Sequence, residues 1–239
     1  TIGAVASLIE CGALDAADGE REIVVDTPSG PLSAHTRIKN GRVASVAIDM
    51  VPAFVFDTDR SLDIPGFGTL SIDLVCVGGF FAMLSAGAIG IDLVPANSER
   101  LIDLGMAVIE AANRNLSVRH PLRPEVATVD VTEFYAEDSG EPSGRNVVVY
   151  GESHMDRSPC GTGTTAKMTL LHHLGKLAVG DVYKNTSPLG TVFEGRIVKT
   201  VSIGEFEGIV ARIRGNAQVT GYHQFVLDER DPFQEGFIL

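Results

Sequence analysis

The stretch Asp156-Arg157-Ser158-Pro159-Cys160-Gly161-Thr162-Gly163-Thr164 concentrates the residue types that could do chemistry. Pro159 cannot continue a helix arriving from upstream, and Gly161 and Gly163 leave backbone N–H groups uncovered by side chains. A helix is therefore expected to begin here and run from about Gly163 to Leu177. A cysteine at a helix N-terminus sits in a positive partial field, which favours thiolate relative to the roughly 8.5 of a free thiol. The N–H groups of Gly161 and Thr162 form a site for an anion such as a carboxylate. Asp156 lies on the approach strand, close enough in sequence to meet a cationic amine. Base, anion site and amine partner together describe a pocket for an α-amino acid.

Other readings of the same residues are weaker. A buried core position is the commonest fate of a cysteine, but the neighbours of Cys160 are polar or Pro/Gly. Gly161-Thr-Gly163-Thr-Thr-Ala166, with Asp181 downstream, fits a dinucleotide-binding GxGxxA pattern. A lone match of that kind is unspecific, and no hydrophobic strand runs straight into its first glycine. The phosphate-loop pattern fails because Lys167 is followed by Met168. Thr1 could act as an N-terminal nucleophile with its own amine as base; the plainer reading is a chain that merely begins here. A start at Thr1 rather than Met also suggests processing, trimming or a longer parent.

Around the motif the chain alternates helix and strand signals. Thr1 to Leu14 carries Ile2, Val5, Leu8 and Ile9 at helical spacing, with Gly12 as a stop. Strands are expected at Glu22–Asp26, Leu32–Ile38 and Arg42–Val51. Thr27-Pro28-Ser29-Gly30 joins the first two and Asn40-Gly41 the last two. Pro65–Gly68 reads as a boundary. An amphipathic helix is expected over about Ser98–Asn113, with Ser98 or Asn97 as its cap and Leu101, Leu104, Val108 and Ala112 on one face. Ala136–Gly144 is a polar loop, Asn146–Tyr150 a strand, and the remainder mostly strands at Gly195–Val201, Gly208–Arg214 and Gln218–Leu227. A faint repeat is present: Thr1, Leu8, Gly12 and Leu14 match Thr164, Leu171, Gly175 and Leu177 at a constant offset. Each helix is followed by a strand, a Thr/Pro/Ser/Gly turn and a strand ending in Arg-Ile. Two similar halves, each with a central helix, would let two helix N-termini face one cleft.

Composition excludes several classes. A chain of 239 residues with 44% hydrophobic and 21% charged residues is globular and long enough for two domains. Lys plus Arg total 19 against 31 Asp plus Glu, a net charge of −12 with no basic run, so nucleic acid and anionic membrane surfaces are poor partners. Leu74 to Ile91 carries no charge over eighteen residues, near the length of a spanning helix. Its four glycines and the lack of a flanking basic cluster favour a buried strand, a Gly turn and a second strand. Three cysteines, Cys11, Cys76 and Cys160, do not make a disulfide framework and fit a reducing cytoplasm.

Asp156-Arg-Ser-Pro-Cys-Gly-Thr-Gly-Thr164 resembles the signature of the proline racemase family, which includes proline racemases, 4-hydroxyproline 2-epimerases and trans-3-hydroxyproline dehydratases. The resemblance covers the whole chain. Thr1-Ile2-Gly3 is similar to the tail of the family's first motif, C-G-H-x-T-I-G. Gly221-Tyr-His-Gln-Phe-Val-Leu-Asp228 and Glu235-Gly-Phe-Ile-Leu239 are similar to its C-terminal end. Leu74–Ala82 resembles the strand opening the second domain, with Val77-Gly78-Gly79-Phe80 where the family has Gly-Gly-Asn-Phe.

The resemblance implies an α/β (α+β) fold of two similar domains, each a mixed sheet around a central helix, like diaminopimelate epimerase. Residues 1–68 with about 220–239 would form the remainder of the first domain, and 69–219 the second. It implies inversion at Cα of proline or 4-hydroxyproline by 1,1-proton transfer between two thiols, one of them Cys160. The other is expected in a segment preceding Thr1, so that this chain alone would be inactive. Gly161 and Thr162 would bind the substrate carboxylate, and Asp156 its ring nitrogen. Tyr150 and His154 would line the ring, where they could bond a ring hydroxyl. Neither a cofactor nor a metal is expected. The expected partner is the small substrate, with a homodimer as the assembly to test. A dehydratase of the same family, a nucleotide-dependent oxidoreductase and a non-catalytic fragment are the alternatives.

Overall fold

The computed structural model describes residues 1–15, 17–27, 30–138, 140, 142–236. In chain order the elements are α1 (Ile2–Glu10), β1 (Gly19–Thr27), β2 (Gly30–Lys39), β3 (Arg42–Asp49), β4 (Ala53–Ile64), β5 (Gly68–Val77) and β6 (Gly79–Ser85). Then come α2 (Ala86–Ile89), α3 (Ser98–Asn115), β7 (Val129–Glu137), β8 (Ser143–Tyr150), β9 (His154–Met155), α4 (Gly161–His173), β10 (Val182–Thr186), β11 (Val192–Ile203) and β12 (Phe206–Gly215). The mixed α+β class is the one expected.

One 12-stranded sheet runs β1-β2-β3-β12-β11-β10-β8-β7-β6-β5-β4, and β4 returns to pair with β12. The strands from β4 to β12 thus close into a barrel-like ring, which leaves no free edge within it. Pairs β6–β7 and β8–β10 are parallel; the other ladders are antiparallel. A parallel pair needs a long crossover, and α3 and α4 are the helices of those two crossovers. They take opposite faces of the sheet. Alternate residues record this: Leu74, Cys76, Phe80, Ala82 and Leu84 join the core under α3, while Val75, Val77, Phe81 and Met83 join the core around α4. Strands buried on both faces read as unbroken apolar runs. That is why Leu74–Ile91 carries no charge, and it forms a strand pair turning at Gly78 (φ +79°), with α2 at its end. Among the described residues no helix is long and apolar enough to cross a membrane.

α4 lies inside the ring, with Gly163 to Leu171 buried without a break. A helix buried all round has no amphipathic stripe. α3 does have one: Leu101, Leu104, Val108, Ala111 and Ala112 face the sheet. Gly105 brings α3 close to β8, since a Cβ there would sit 2.7 Å from Cβ of Val149.

α1 packs Val5, Ala6 and Ile9 on Ala34, Ile38, Val46 and Ile48 of β2 and β3. It ends where expected, at Gly12 (φ +76°), whose N–H donates to Ile9 O while that of Ala13 donates to Leu8 O. Asn40 and Gly41 both take positive φ (54° and 68°), the requirement of a tight primed hairpin turn. The repeat is visible as helix then hairpin: α1 precedes β1–β2, and α4 precedes β10–β11. In the first hairpin turn, Pro28 and Ser29 lie outside the described residues. So do Phe237, Ile238 and Leu239 of the C-terminal motif.

Two expectations change. Pro65–Gly68, read as a boundary, is a hairpin turn within the ring, with Ile64 paired to Gly68 across β4 and β5. Gln218–Leu227, read as a strand, is irregular. Phe225 is 92% exposed and Leu227 80%, and no strand among the described residues pairs with the segment. Residue types alone specify which segments could extend; a strand also needs a partner for its N–H and C=O groups.

Candidate active site

The approach to α4 is a chain of short-range hydrogen bonds that leads from Asp156 to Cys160. Asp156 Oδ1 accepts from the Ser158 N–H at 2.8 Å, and Ser158 Oγ accepts from the Cys160 N–H at 3.1 Å. Cys160 caps the helix: its Sγ accepts from the Gly163 N–H at 3.3 Å and lies 3.3 Å from Thr162 Oγ1. Its carbonyl receives the first helical bond, from the Thr164 N–H at 2.8 Å. Cys160 holds φ +57° and ψ +123°, unusual for a residue with a Cβ. Such conformations persist only where the surroundings enforce them, and they cluster at functional sites. Helix geometry leaves the first N–H groups without intrahelical acceptors, and here these belong to Gly161 and Thr162.

Ser158, Gly161 and Thr162 border a cleft of about 570 Å³, while Cys160 and Asp156 lie just behind its lining. One wall carries Ser158, Gly161 and Thr162 from the start of α4; another carries Thr1, Ile2 and Gly3 from the start of α1. Met50, Val51 and Phe193 supply apolar surface between them. The two helix N-termini thus do face one cleft, as the repeat implied.

The ionisation state of Cys160 differs from the sequence expectation. Burial pushes the thiol up to about 12, outweighing the Thr162 hydroxyl and the Gly163 N–H that stabilise the anion; Asp156 and Glu133 add repulsion. The helix N-terminus does donate to sulfur, but removal from water costs more than these two contacts return. Near neutral pH, Cys160 in this state is a thiol, hence a proton donor.

Of the other site candidates, Tyr150 and His154 pair across the β8–β9 hairpin, with their rings stacked at 6.0 Å. Both are exposed, and neither borders the cleft. The structure therefore brings Cys160, Gly161 and Thr162 together, links Asp156 to them through Ser158, and leaves the Tyr150–His154 pair on the hairpin tip.

Sequence reasoning missed a buried polar cluster beneath the motif. Glu133 on β7 and Lys167 on α4 are wholly buried, as are Asn146 and Asn185. Lys167 Nζ donates to Glu137 Oε1 at 2.9 Å and sits 3.5 Å from the centre of the Tyr135 ring. Burial pushes the Glu133 carboxyl up to about 8, against the pull of the Asn146 hydrogen bond and the Lys167 charge. The available signal was a single charge inside each apolar run, Glu133 in Val131–Tyr135 and Lys167 in Thr164–Leu171. Among the described residues no cluster of His, Cys, Asp and Glu could hold a metal ion.

The sequence model of the family described as Proline racemase matches residues 1–238. The chain belongs to the proline racemase family. It is 38% identical over 240 residues to a proline racemase of Clostridioides difficile, covering 100% of this chain and 72% of that protein. It is 36% identical over 239 residues to a 4-hydroxyproline 2-epimerase of Streptosporangium roseum, covering 100% and 72%. Its fold matches a hydroxyproline epimerase from Agrobacterium vitis, crystallised with bound trans-4-hydroxy-L-proline. That match has a TM-score of 0.90 and 29% identity over 99% of this chain and 68% of the other. These relatives are, by name, amino-acid isomerases, whereas a Xenopus tropicalis relative, 32% identical over 239 residues covering 97% of this chain and 68% of that protein, is by name a trans-L-3-hydroxyproline dehydratase.

Proposed function

We propose that this protein inverts Cα of proline or 4-hydroxyproline by proton transfer, with Cys160 as one acid–base thiol. The observation that carries the reading is the placing of Cys160, in a strained cap, directly next to Gly161 and Thr162, whose open N–H groups border the cleft. A carboxylate held by those N–H groups sets Cα next to the sulfur, and Asp156 takes the ring ammonium. Ring carbons then lie against Met50, Val51 and Phe193. A base on the far face removes the Cα proton; the electron pair left on Cα delocalises into the carboxylate, whose charge the N–H groups stabilise. The Cys160 S–H bond breaks as a new Cα–H bond forms, and the reverse direction uses Cys160 as base. In this reading the far-face group is a second thiol on the side of the cleft where α1 begins, which neither Cys11, at the far end of α1, nor Cys76, buried in β5, supplies. The chemistry asks for no cofactor, since carboxylate stabilisation and two acid–base groups suffice.

The test is hydrogen exchange at Cα in D₂O with L-proline and trans-4-hydroxy-L-proline, read by mass spectrometry on the full-length protein. Loss of inversion in Cys160→Ser is expected, read by chiral separation as failure to form deuterium-labelled D-proline or cis-4-hydroxy-D-proline, since the far-face base alone can exchange the L substrate without inverting it. Full inversion in that variant would remove Cys160 from the mechanism. Loss of water from 3-hydroxyproline in the same assay would favour the dehydratase reading instead.

A further inference from the structure

The carbonyl oxygen of Pro159, one bond from Cys160, accepts from three buried side chains. Asn146 Nδ2 reaches it at 3.0 Å from β8, Thr164 Oγ1 at 3.0 Å from α4, and Asn185 Nδ2 at 3.3 Å from β10. Asn185 Nδ2 also donates to Thr164 Oγ1 at 2.9 Å, and Asn146 Nδ2 to Glu133 Oε1 at 2.9 Å. The arrangement is made at the expense of other bonds. Oδ1 of Asn146 and Oδ1 of Asn185 are buried without a partner among the described residues. Rotating either amide would set oxygen against the Pro159 oxygen, so neither can flip. An unpartnered buried amide oxygen destabilises a fold, and here two of them are tolerated around one carbonyl. What that carbonyl fixes is the peptide entering Cys160, the residue with φ +57°.

We infer that Asn146, Thr164 and Asn185 are positioning residues that hold Cys160, through the carbonyl of Pro159, in the conformation that sets its sulfur over the first turn of α4. They come from three elements that meet only in the ring, so the strained cap is enforced by tertiary structure rather than by the local sequence. Its importance for turnover rests on the reading of Cys160 as an acid–base group.

The clamp is tested without turnover, by following iodoacetamide alkylation of each cysteine by peptide mass spectrometry at fixed pH. Cys76 is buried in β5, away from the motif, and reports global opening. Thr164→Val keeps the shape and removes the hydroxyl. It is expected to raise the Cys160 rate about tenfold, as the freed turn lets solvent reach sulfur, and to leave Cys76 unchanged. Thr164→Ser restores the hydroxyl and is expected at the wild-type rate; Asn185→Ala should behave as Thr164→Val does. An unchanged Cys160 rate in Thr164→Val would overturn the inference. So would acceleration in Thr164→Ser, because methyl packing would then hold the turn, or a parallel rise at Cys76, because the fold as a whole would then have loosened. Failure of the catalytic reading is separately visible, as a Cys160→Ser protein that still inverts Cα.

Discussion

Glu133→Gln should make the protein more stable at neutral pH, although it alters a buried charged residue. Glu133 Oε1 accepts from Asn146 at 2.9 Å, while Oε2 is buried with no partner among the described residues. Loss of water raises the carboxyl from 4.5 to about 8. Between those values the folded protein keeps a proton that the unfolded chain has released. Stability from this group is therefore complete below pH 4.5 and is lost as pH rises through about 8. The slope is about 1.4 kcal/mol per pH unit, so about 3 kcal/mol is lost by pH 7. The Gln substitution reproduces the protonated side chain, keeps an acceptor for Asn146 and cannot ionise. Urea unfolding of the two proteins should give equal stabilities near pH 4.5 that diverge with rising pH, the variant gaining about 3 kcal/mol by pH 7. Titrating groups that do not interact with Glu133 cancel in the difference. A difference that stays flat from about pH 5 to 8, or a more stable wild type at pH 7, would refute the reasoning and mean that Glu133 is ionised and stabilised.

Two further substitutions probe packing, one beside Cys160 and one in the core under α3. A Cβ at Gly163 would lie 2.8 Å from Cγ2 of Val148 and 3.2 Å from Cβ of Cys160. Gly163→Ala should therefore cost about 1–3 kcal/mol in denaturant unfolding; an unchanged midpoint would mean that the turn has slack. Phe134, fully buried between α3 and the ring, should cost about 3–5 kcal/mol when replaced by Ala, measured in the same way.

Much of the fold was legible because it is locally encoded. The stripe Leu101, Leu104, Val108, Ala112 specifies a helix by period alone, and α3 follows it. Asn40-Gly41 and Gly12 are residues that accept positive φ, and the turn and helix stop fall there. The strand expected at Gln218–Leu227 did not form because a strand depends on a distant partner. Pro65–Gly68 was misleading because a hairpin turn and a domain boundary use the same residue types.

At the site, the sequence alone indicated where the helix begins, since Pro159 stops a helix arriving from upstream and Gly161 leaves N–H groups open for an anion, but not the strained backbone of Cys160. It could not determine the protonation of the thiol. The field of a helix terminus is local, but desolvation is set by everything packed around the sulfur, and here burial wins. Nor could it show that Asn146, Thr164 and Asn185 meet at one carbonyl. Those residues are separated along the chain, and only closure of the ring through β4 and β12, with α4 inside it, brings them within hydrogen-bond distance.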